Sequence, residues 1–352
     1  VQGEEEFMEK LIEALQEIPE AAELLHCAEN GGCPAAMTGL GPVHRAHVCA
    51  ALLAQEKRPL LVVCSDEGEA RRMAADLQNF TGIVPLLLPS REFQFHAAAT
   101  ASREWEQRRV EALYCMAQEQ PRIVVAAPEA LVQRTLPKEV LMNHVLRLHL
   151  SDTVDLNALG EQLVHLGYTR CQQVEGMGQF ALRGGILDVF GPGMEAPVRV
   201  EFFGDEIDRI SEITPLTGEV KAVVQHVAIY PASHYIVPPE KLHDAIEVIE
   251  QELEDRVKYF MDNDMLLEAQ RIKQRTQYDI EMLSEVGFCK GIENYSRILS
   301  GRAPGSTPYT LLDHFPDDYL LMIDESHVTV PQVRGMYFGD YARKKTLVDY
   351  GF

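Results

Sequence analysis

The hydrophobic positions fall into two textures that change near Ser151. Ahead of it, short apolar runs alternate with longer stretches of helical spacing. Residues 60–64 (LLVVC), 84–88 (VPLLL) and 122–126 (RIVVA) read as strands covered on both faces, because their apolar residues run without alternation. Residues 34–40 form a further candidate strand. Residues 4–25 place Phe7, Leu11, Ile12, Leu15 and Ile18 on one helical stripe, and 44–55, 67–77, 103–118 and 128–133 are predicted helical as well. Strands alternating with helices build a parallel sheet with helices on both faces, the α/β pattern of nucleotide-binding domains. Trp105 and Tyr114 fall where they would pack against that sheet.

After Ser151 the pattern changes. Residues 168–190 and 198–210 alternate, with glycines at Gly176, Gly178, Gly184, Gly185 and Gly204. Phe180-Ala181-Leu182-Arg183, a Gly-Gly pair and the apolar run from Ile186 predict a hairpin. In VRVEFF (198–203) the period of two puts Arg199 and Glu201 on one face. This region reads as a mixed, antiparallel insert. Residues 238–286 return to helical spacing, with Ile246, Ile249, Leu253, Val257 and Phe260 on one stripe, continued by Leu266, Leu267, Ile272, Ile280 and Leu283. That pattern predicts an amphipathic hairpin packed on a core rather than a free coiled coil. A loop rich in Gly, Asn and Ser follows at 287–301, and YLLMID (319–324) is a buried strand that rejoins the first sheet. The expected division is an α/β domain over 1–150, an insert over 151–235, and a helical segment with the return to the α/β domain over 236–352.

Composition narrows the function classes. The 352 residues suffice for two or three domains with real cores. A net charge of -22 argues against a surface given over to nucleic acid, which needs clustered Lys and Arg. It leaves room for a local basic patch or a basic protein partner. Cys27, Cys33, Cys49, Cys64, Cys115, Cys171 and Cys289 form no CxxC pair, so we expect reduced thiols in a cytoplasmic protein rather than a zinc or redox site. No apolar run approaches the ~20 residues that span a bilayer, so no membrane role is expected. The start at Val1 and the stop at Phe352 suggest a piece of a longer chain.

Two stretches carry candidate chemistry. MTGLGPVHRAH (37–47) stands where a phosphate-binding loop belongs, and it keeps Gly39 and Gly41. Such a loop needs glycines so that backbone N–H groups can wrap phosphates, a Lys for their outer oxygens, and a Ser or Thr for magnesium. Here the Lys-Ser/Thr positions hold residues such as His44 and Arg45, and Pro42 removes one donor. Arg45 could supply the missing charge, though its fork is not a compact ammonium. Weak anion binding at this helix start is one reading, and a structural strand-to-helix turn is the commoner one. LLMIDESH (320–327) ends an apolar strand in acid. In an active ATPase Asp324 would hold magnesium through water and Glu325 would polarise the attacking water. On the insert, Arg170, Arg183 and Glu201 are ordinary surface charge or, since Arg is enriched at hot spots, a protein-binding face.

Longer strings carry a resemblance. Residues 198–219, 229–235, 266–287, 291–297 (GIENYSR), 302–316 (RAPGSTPYTLLDHFP) and 324–336 (DESHVTVPQVRGM) closely resemble the UvrB family of the bacterial UvrABC excinuclease. Residues 39–46, 89–113 and 173–190 are similar to the UvrB-homologous module of the transcription-repair coupling factor Mfd, whose nucleotide loop is also degenerate. Between Leu88 and Arg103 the chain has a short link, PSREFQFHAAATAS, where the UvrB family carries a long aromatic β-hairpin that enters damaged DNA.

The resemblance implies a RecA-like, parallel-sheet α/β helicase domain interrupted by a small mixed α+β insert that docks on UvrA. It transfers the UvrA-contacting positions to Arg170 (YTR), Arg183 (FALRG) and Glu201 (RVEFFGDE), with Ala181 where another arginine is expected. The second helicase domain of the family, with its arginine fingers, falls outside these residues. We therefore expect a nucleotide excision repair module that binds UvrA, needs no cofactor and does not hydrolyse ATP by itself. Damaged DNA would be met as part of a complex, and RNA polymerase only through a longer parent chain. The alternative is part of a UvrB-type, helicase-like excinuclease ATPase that binds damaged DNA and Mg-ATP, with Asp324 on the metal.

Overall fold

The computed structural model describes residues 2–90, 104–118, 121–215, 217–233, 239–287, 289 and 291–352. It contains two compact units, Val1–Met142 with Tyr309–Val333, and Asn143–Pro308 with Arg334–Phe352.

The first stretch of chain carries α1 (Gln2–Leu15), α2 (Pro19–Glu29), α3 (Pro42–Gln55), β1 (Leu60–Val63), α4 (Glu67–Thr81), β2 (Leu86–Leu88), α5 (Glu104–Gln118), β3 (Ile123–Ala126), α6 (Pro128–Val132) and α7 (Lys138–Asn143). β1 and β3 are apolar and buried at every position, as their uninterrupted runs predict. The Asp66 carboxylate caps α4 by accepting the Glu69 N–H at 2.9 Å, and the helix stops at left-handed Gly82.

Two segments differ from their sequence pattern. The single helix over 4–25 is two helices, because Pro19 starts a new first turn and cannot continue an old one. Residues 34–40 form no strand. Pro34 offers no donor to a ladder, and Gly39 sits at φ 82°, outside the extended region.

The second unit runs through β4 (Leu146–His149), α8 (Leu156–His165), β5 (Thr169–Arg170), β6 (Gln179–Arg183), β7 (Ile186–Phe190), β8 (Val198–Phe203), β9 (Glu206–Ile213), β10 (Val220–Val224), β11 (His226–Ile229), α9 (Pro239–Asp262), α10 (Leu266–Val286) and α11 (Ser296–Leu299). Six strands form one sheet in the order β10-β9-β8-β7-β6-β5, antiparallel except for the β5–β6 pair. β4 and β11 form a separate antiparallel ribbon. α8 covers one sheet face, so closely that a Cβ on Gly160 would stand 2.7 Å from Leu182. The Tyr168 hydroxyl donates to the Tyr230 carbonyl at 2.6 Å and the Ala232 N–H to the Leu166 carbonyl at 2.8 Å, closing this domain on itself.

The helical hairpin forms as its stripe predicts, with Leu242, Ile249, Leu253, Ile280 and Leu283 in one core. Leu266 and Leu267 leave the predicted stripe and are exposed in the first turn of α10. The polar stretch at 287–301 is not a plain loop. Its apolar Ile292 and Leu299 bury against the hairpin, giving a 3-10 turn (Ile292–Tyr295) and α11. The Tyr295 hydroxyl donates to Asp279 at 2.8 Å.

The chain then adds β12 (Leu320–Ile323) and α12 (Ser326–Asp349). β12 pairs parallel with β1, completing a wholly parallel sheet of order β12-β1-β3-β2. The molecule is thus an α/β fold with a parallel sheet and a separate mixed sheet. Most of the link expected to replace an aromatic β-hairpin, residues 91–103, lies outside the described residues, as does Tyr235. Among the described residues, no helix is long and apolar enough to cross a membrane.

Candidate functional site

In the parallel-sheet unit, the loop before α3 and the strand end after β12 meet. Gly39 adopts φ 82°, with open space where a Cβ would point, so glycine is needed there for its conformation. Gly41 is the N-cap of α3 and Pro42 opens the helix. From the first turn, Arg45 folds back. Its Nε donates to the Leu40 carbonyl at 3.3 Å. Its Nη1 donates to both Asp324 oxygens at 2.8 and 2.9 Å, and its Nη2 meets Glu325 Oε1 at 2.6 Å. All three guanidinium nitrogens are therefore engaged. Burial pulls the Arg45 guanidinium down, but its bonds and charge pairing with Asp324 and Glu325 more than offset this, and it titrates above its ordinary value.

The acidic end is held just as firmly. The Asp324 N–H donates to the Val63 carbonyl at 2.8 Å, Asp324 Oδ1 accepts the Glu325 N–H at 3.0 Å, and Thr329 Oγ1 donates to the Asp324 carbonyl at 2.9 Å. Glu325 sits at φ 47°, a left-handed conformation that a non-glycine residue adopts only under local constraint. His327 Nδ1 lies 3.4 Å from Glu325 Oε2. Structure thus brings Gly39, Gly41, Arg45, Asp324 and Glu325 together. It places Arg45 on the two carboxylates, where a metal-bound nucleotide would need them free.

In the other unit, cross-strand register arranges charge in rows. Arg183, Ile186, Glu201 and Arg209 are successive partners across β6, β7, β8 and β9. Ala181, Asp188, Arg199 and Ser211 form the neighbouring row. Both rows lie on the face away from α8, since alternation turns Phe180 and Leu182 toward it. Arg183 and Glu201 therefore share one face, two strand spacings or roughly 10 Å apart. Glu201 Oε2 lies 4.0 Å from Arg209 Nη1. Arg170 is in register with Phe180 on the edge strand β5, so it shares neither row nor parity with the other two. Ala181 is buried.

Comparison with known proteins finds two matching domain families. Residues 146–235 match the UvrB interaction domain, and residues 240–301 match the UvrB third helical domain. UvrABC system protein B of Caldicellulosiruptor bescii is 47% identical over 266 residues, covering 75% of this chain and 40% of that protein. The protein of the same name from Bacillus caldotenax is 42% identical over 316 residues, 86% of this chain and 48% of its own length. That from Carboxydothermus hydrogenoformans is 39% identical over 345 residues, 94% and 52%. The chain belongs to the UvrB family. It spans about half the length of these relatives, or less.

Within this UvrB-family sheet, sequence reasoning missed one acid. Asp188, 3% exposed at its side chain, accepts from Arg183 and Arg199. The alternation of ILDVF put Asp188 on the face opposite Leu187 and Val189, and a lone acid on a strand with arginines on its neighbours was the available signal. Sequence reasoning also missed that Arg45, Asp324 and Glu325 neutralise one another.

Proposed function

We propose that this chain is a nucleotide excision repair module that binds UvrA through the sheet of its interaction domain and does not hydrolyse ATP by itself. The carrying observation is the charged face on which Arg183 and Glu201 stand together, in the segment that matches the UvrB interaction domain. Arg170, at the sheet edge, serves as an outlying contact. The division of labour follows 151–235 as the docking part, carried by 1–150 and 236–352.

Loss of hydrolysis has its own support. Mg-ATP requires a free acidic pair for the metal and an ammonium for the phosphates. Here residues such as His44 and Arg45 stand at the Lys-Ser/Thr positions, Pro42 removes one donor, and Arg45 already holds Asp324 and Glu325. The residues present do not fit Mg-ATP, so no cofactor is assigned and Asp324 carries no metal in this reading. Damaged DNA enters only within a larger complex, and RNA polymerase only through a longer parent chain.

One observation favours a second reading, a helicase-like ATPase piece: Asp324 and Glu325 follow directly on a strand of a parallel sheet, where an acidic pair could meet a metal-bound nucleotide. Two assays separate the readings. The first is steady-state ATP turnover with and without single-stranded DNA, beside Glu325→Gln. The second is gel filtration of an equimolar mixture with UvrA. We expect background turnover in both samples and a co-eluting complex. DNA-stimulated turnover that Glu325→Gln abolishes would replace the adaptor reading with the enzymatic one.

A further inference from the structure

Arg183 is half exposed, with 52% of its side chain accessible, yet one end of it is tied down. Its Nη2 donates to Asp188 Oδ2 at 2.6 Å. The same carboxylate accepts Arg199 Nε on Oδ1 at 2.7 Å and Arg199 Nη2 on Oδ2 at 2.9 Å. Three charge-assisted bonds on a buried acid leave it no room for solvent or a partner. Asp188 is therefore an internal acceptor, although it lies in the row beside the proposed docking residues.

The register explains who can reach it. Arg199 is the direct cross-strand neighbour of Asp188 on β8 and binds it through two nitrogens. Gly218, at φ 69°, brings its Cβ position within 3.4 Å of Arg199 Nη2, so the β9–β10 turn closes over that guanidinium. On the other side Asp188 faces Ala181, whose methyl group leaves the Oδ2 edge open. Arg183, paired with Ile186, reaches that edge diagonally. Among the described residues no acceptor meets Arg183 Nε or Nη1, which remain available at the surface.

We propose that Asp188 is the positioning residue of the docking face: it fixes Arg183 in the one rotamer that presents its free guanidinium edge to an acidic group on the partner. Arg199 serves by holding the Asp188 carboxylate in place through two bonds, not by contact with the partner. The physical gain is preorganisation. An exposed arginine loses rotamer freedom when it binds, and one already tethered has lost it on folding. This inference rests on the reading of the face as a UvrA-binding surface.

The test uses the full chain, labelled with 15N-arginine, and UvrA as the probe. In the wild type, the Arg183 guanidinium should show slow rotation about its Nε–Cζ bond; an averaged, freely rotating signal would overturn the proposal without any variant. Asp188→Asn is then measured after its thermal transition shows that it folds. We expect the Arg183 signal to average and the UvrA dissociation constant to rise about tenfold, near 1.4 kcal/mol. In a double-mutant cycle, Asp188→Asn should add less than about twofold in the Arg183→Ala background, because both act through one side chain. A folded Asp188→Asn chain that binds UvrA as tightly as wild type, or losses that multiply to about a hundredfold in the double variant, would overturn it. Absence of wild-type binding beside a rigid Arg183 would instead sink the UvrA reading, while the tether itself stood.

Discussion

Replacing Arg45 by Ala should destabilise the parallel-sheet unit and reveal what the guanidinium does there. The side chain makes three contacts of 2.6 to 2.9 Å with Asp324 and Glu325. Exposed ion pairs contribute about 0.2–1 kcal/mol, whereas removing one partner of a buried pair costs about 3–5 kcal/mol. This group lies between those limits, with side-chain exposures of 23% for Arg45, 10% for Asp324 and 37% for Glu325. A loss of about 1–3 kcal/mol follows, part of it from two carboxylates left adjacent without a counter-charge. For a unit of this size each kcal/mol moves the midpoint by about 2–4 °C, so calorimetry should show a fall of about 2–12 °C. Millimolar magnesium should recover part of that fall in Arg45→Ala and do little to the wild type, since a cation that binds only the folded state stabilises it. A variant that melts with the wild type, in low salt and without magnesium, would refute the claim that Arg45 neutralises the acidic pair.

Two further predictions concern stability. His314 is buried, which holds its imidazole below the ordinary value; the Leu136 carbonyl opposes this and the nearby Arg109 guanidinium reinforces it. The unfolded chain then takes up the proton first as pH falls. Its contribution is complete above about pH 6.5 and declines as pH drops below that toward the folded value. Denaturant melts from pH 8 to 5 should show this slope, and His314→Gln should flatten it; an unchanged slope would remove His314 as its source. Gly167→Ala should destabilise the interaction domain by about 2–5 kcal/mol, because Gly167 sits at φ 87° and a Cβ there would stand 2.6 Å from Ser233 Cβ. A loss under about 1 kcal/mol in a urea melt would show that the Leu166–Ala232 closure yields easily.

The parallel sheet was legible because β1 and β3 are four-residue apolar runs, a pattern that burial on both faces demands. β12 was legible as a strand from its apolar run, but not as the buried strand expected: at the sheet edge it buries only Leu320, and Leu321 and Ile323 are exposed. The helical hairpin was legible from its stripe. Misreadings came where local pattern lacked its tertiary partner. Residues 34–40 look like a strand but have no ladder neighbour, and 287–301 look like a loop but carry Ile292 and Leu299 into a core. Leu266 and Leu267 match the helical period and still face solvent at a helix start. At the sites, residue types were readable and pairings were not. Arg45 and Asp324 are 279 positions apart, and no periodicity reports such a contact. The sharing of one face by Arg183 and Glu201 follows from strand register, which alternation constrains on each strand but not between strands.

The central claim is that this UvrB-family chain docks on UvrA through its six-stranded sheet. Titration calorimetry of UvrA into the wild-type chain, and into Arg183→Ala combined with Glu201→Ala, addresses it most directly. Saturable binding by the wild type and its loss in the double variant are expected, with both samples melting cooperatively. Absence of binding by a cooperatively folded wild type, or equal binding by the double variant, would contradict it.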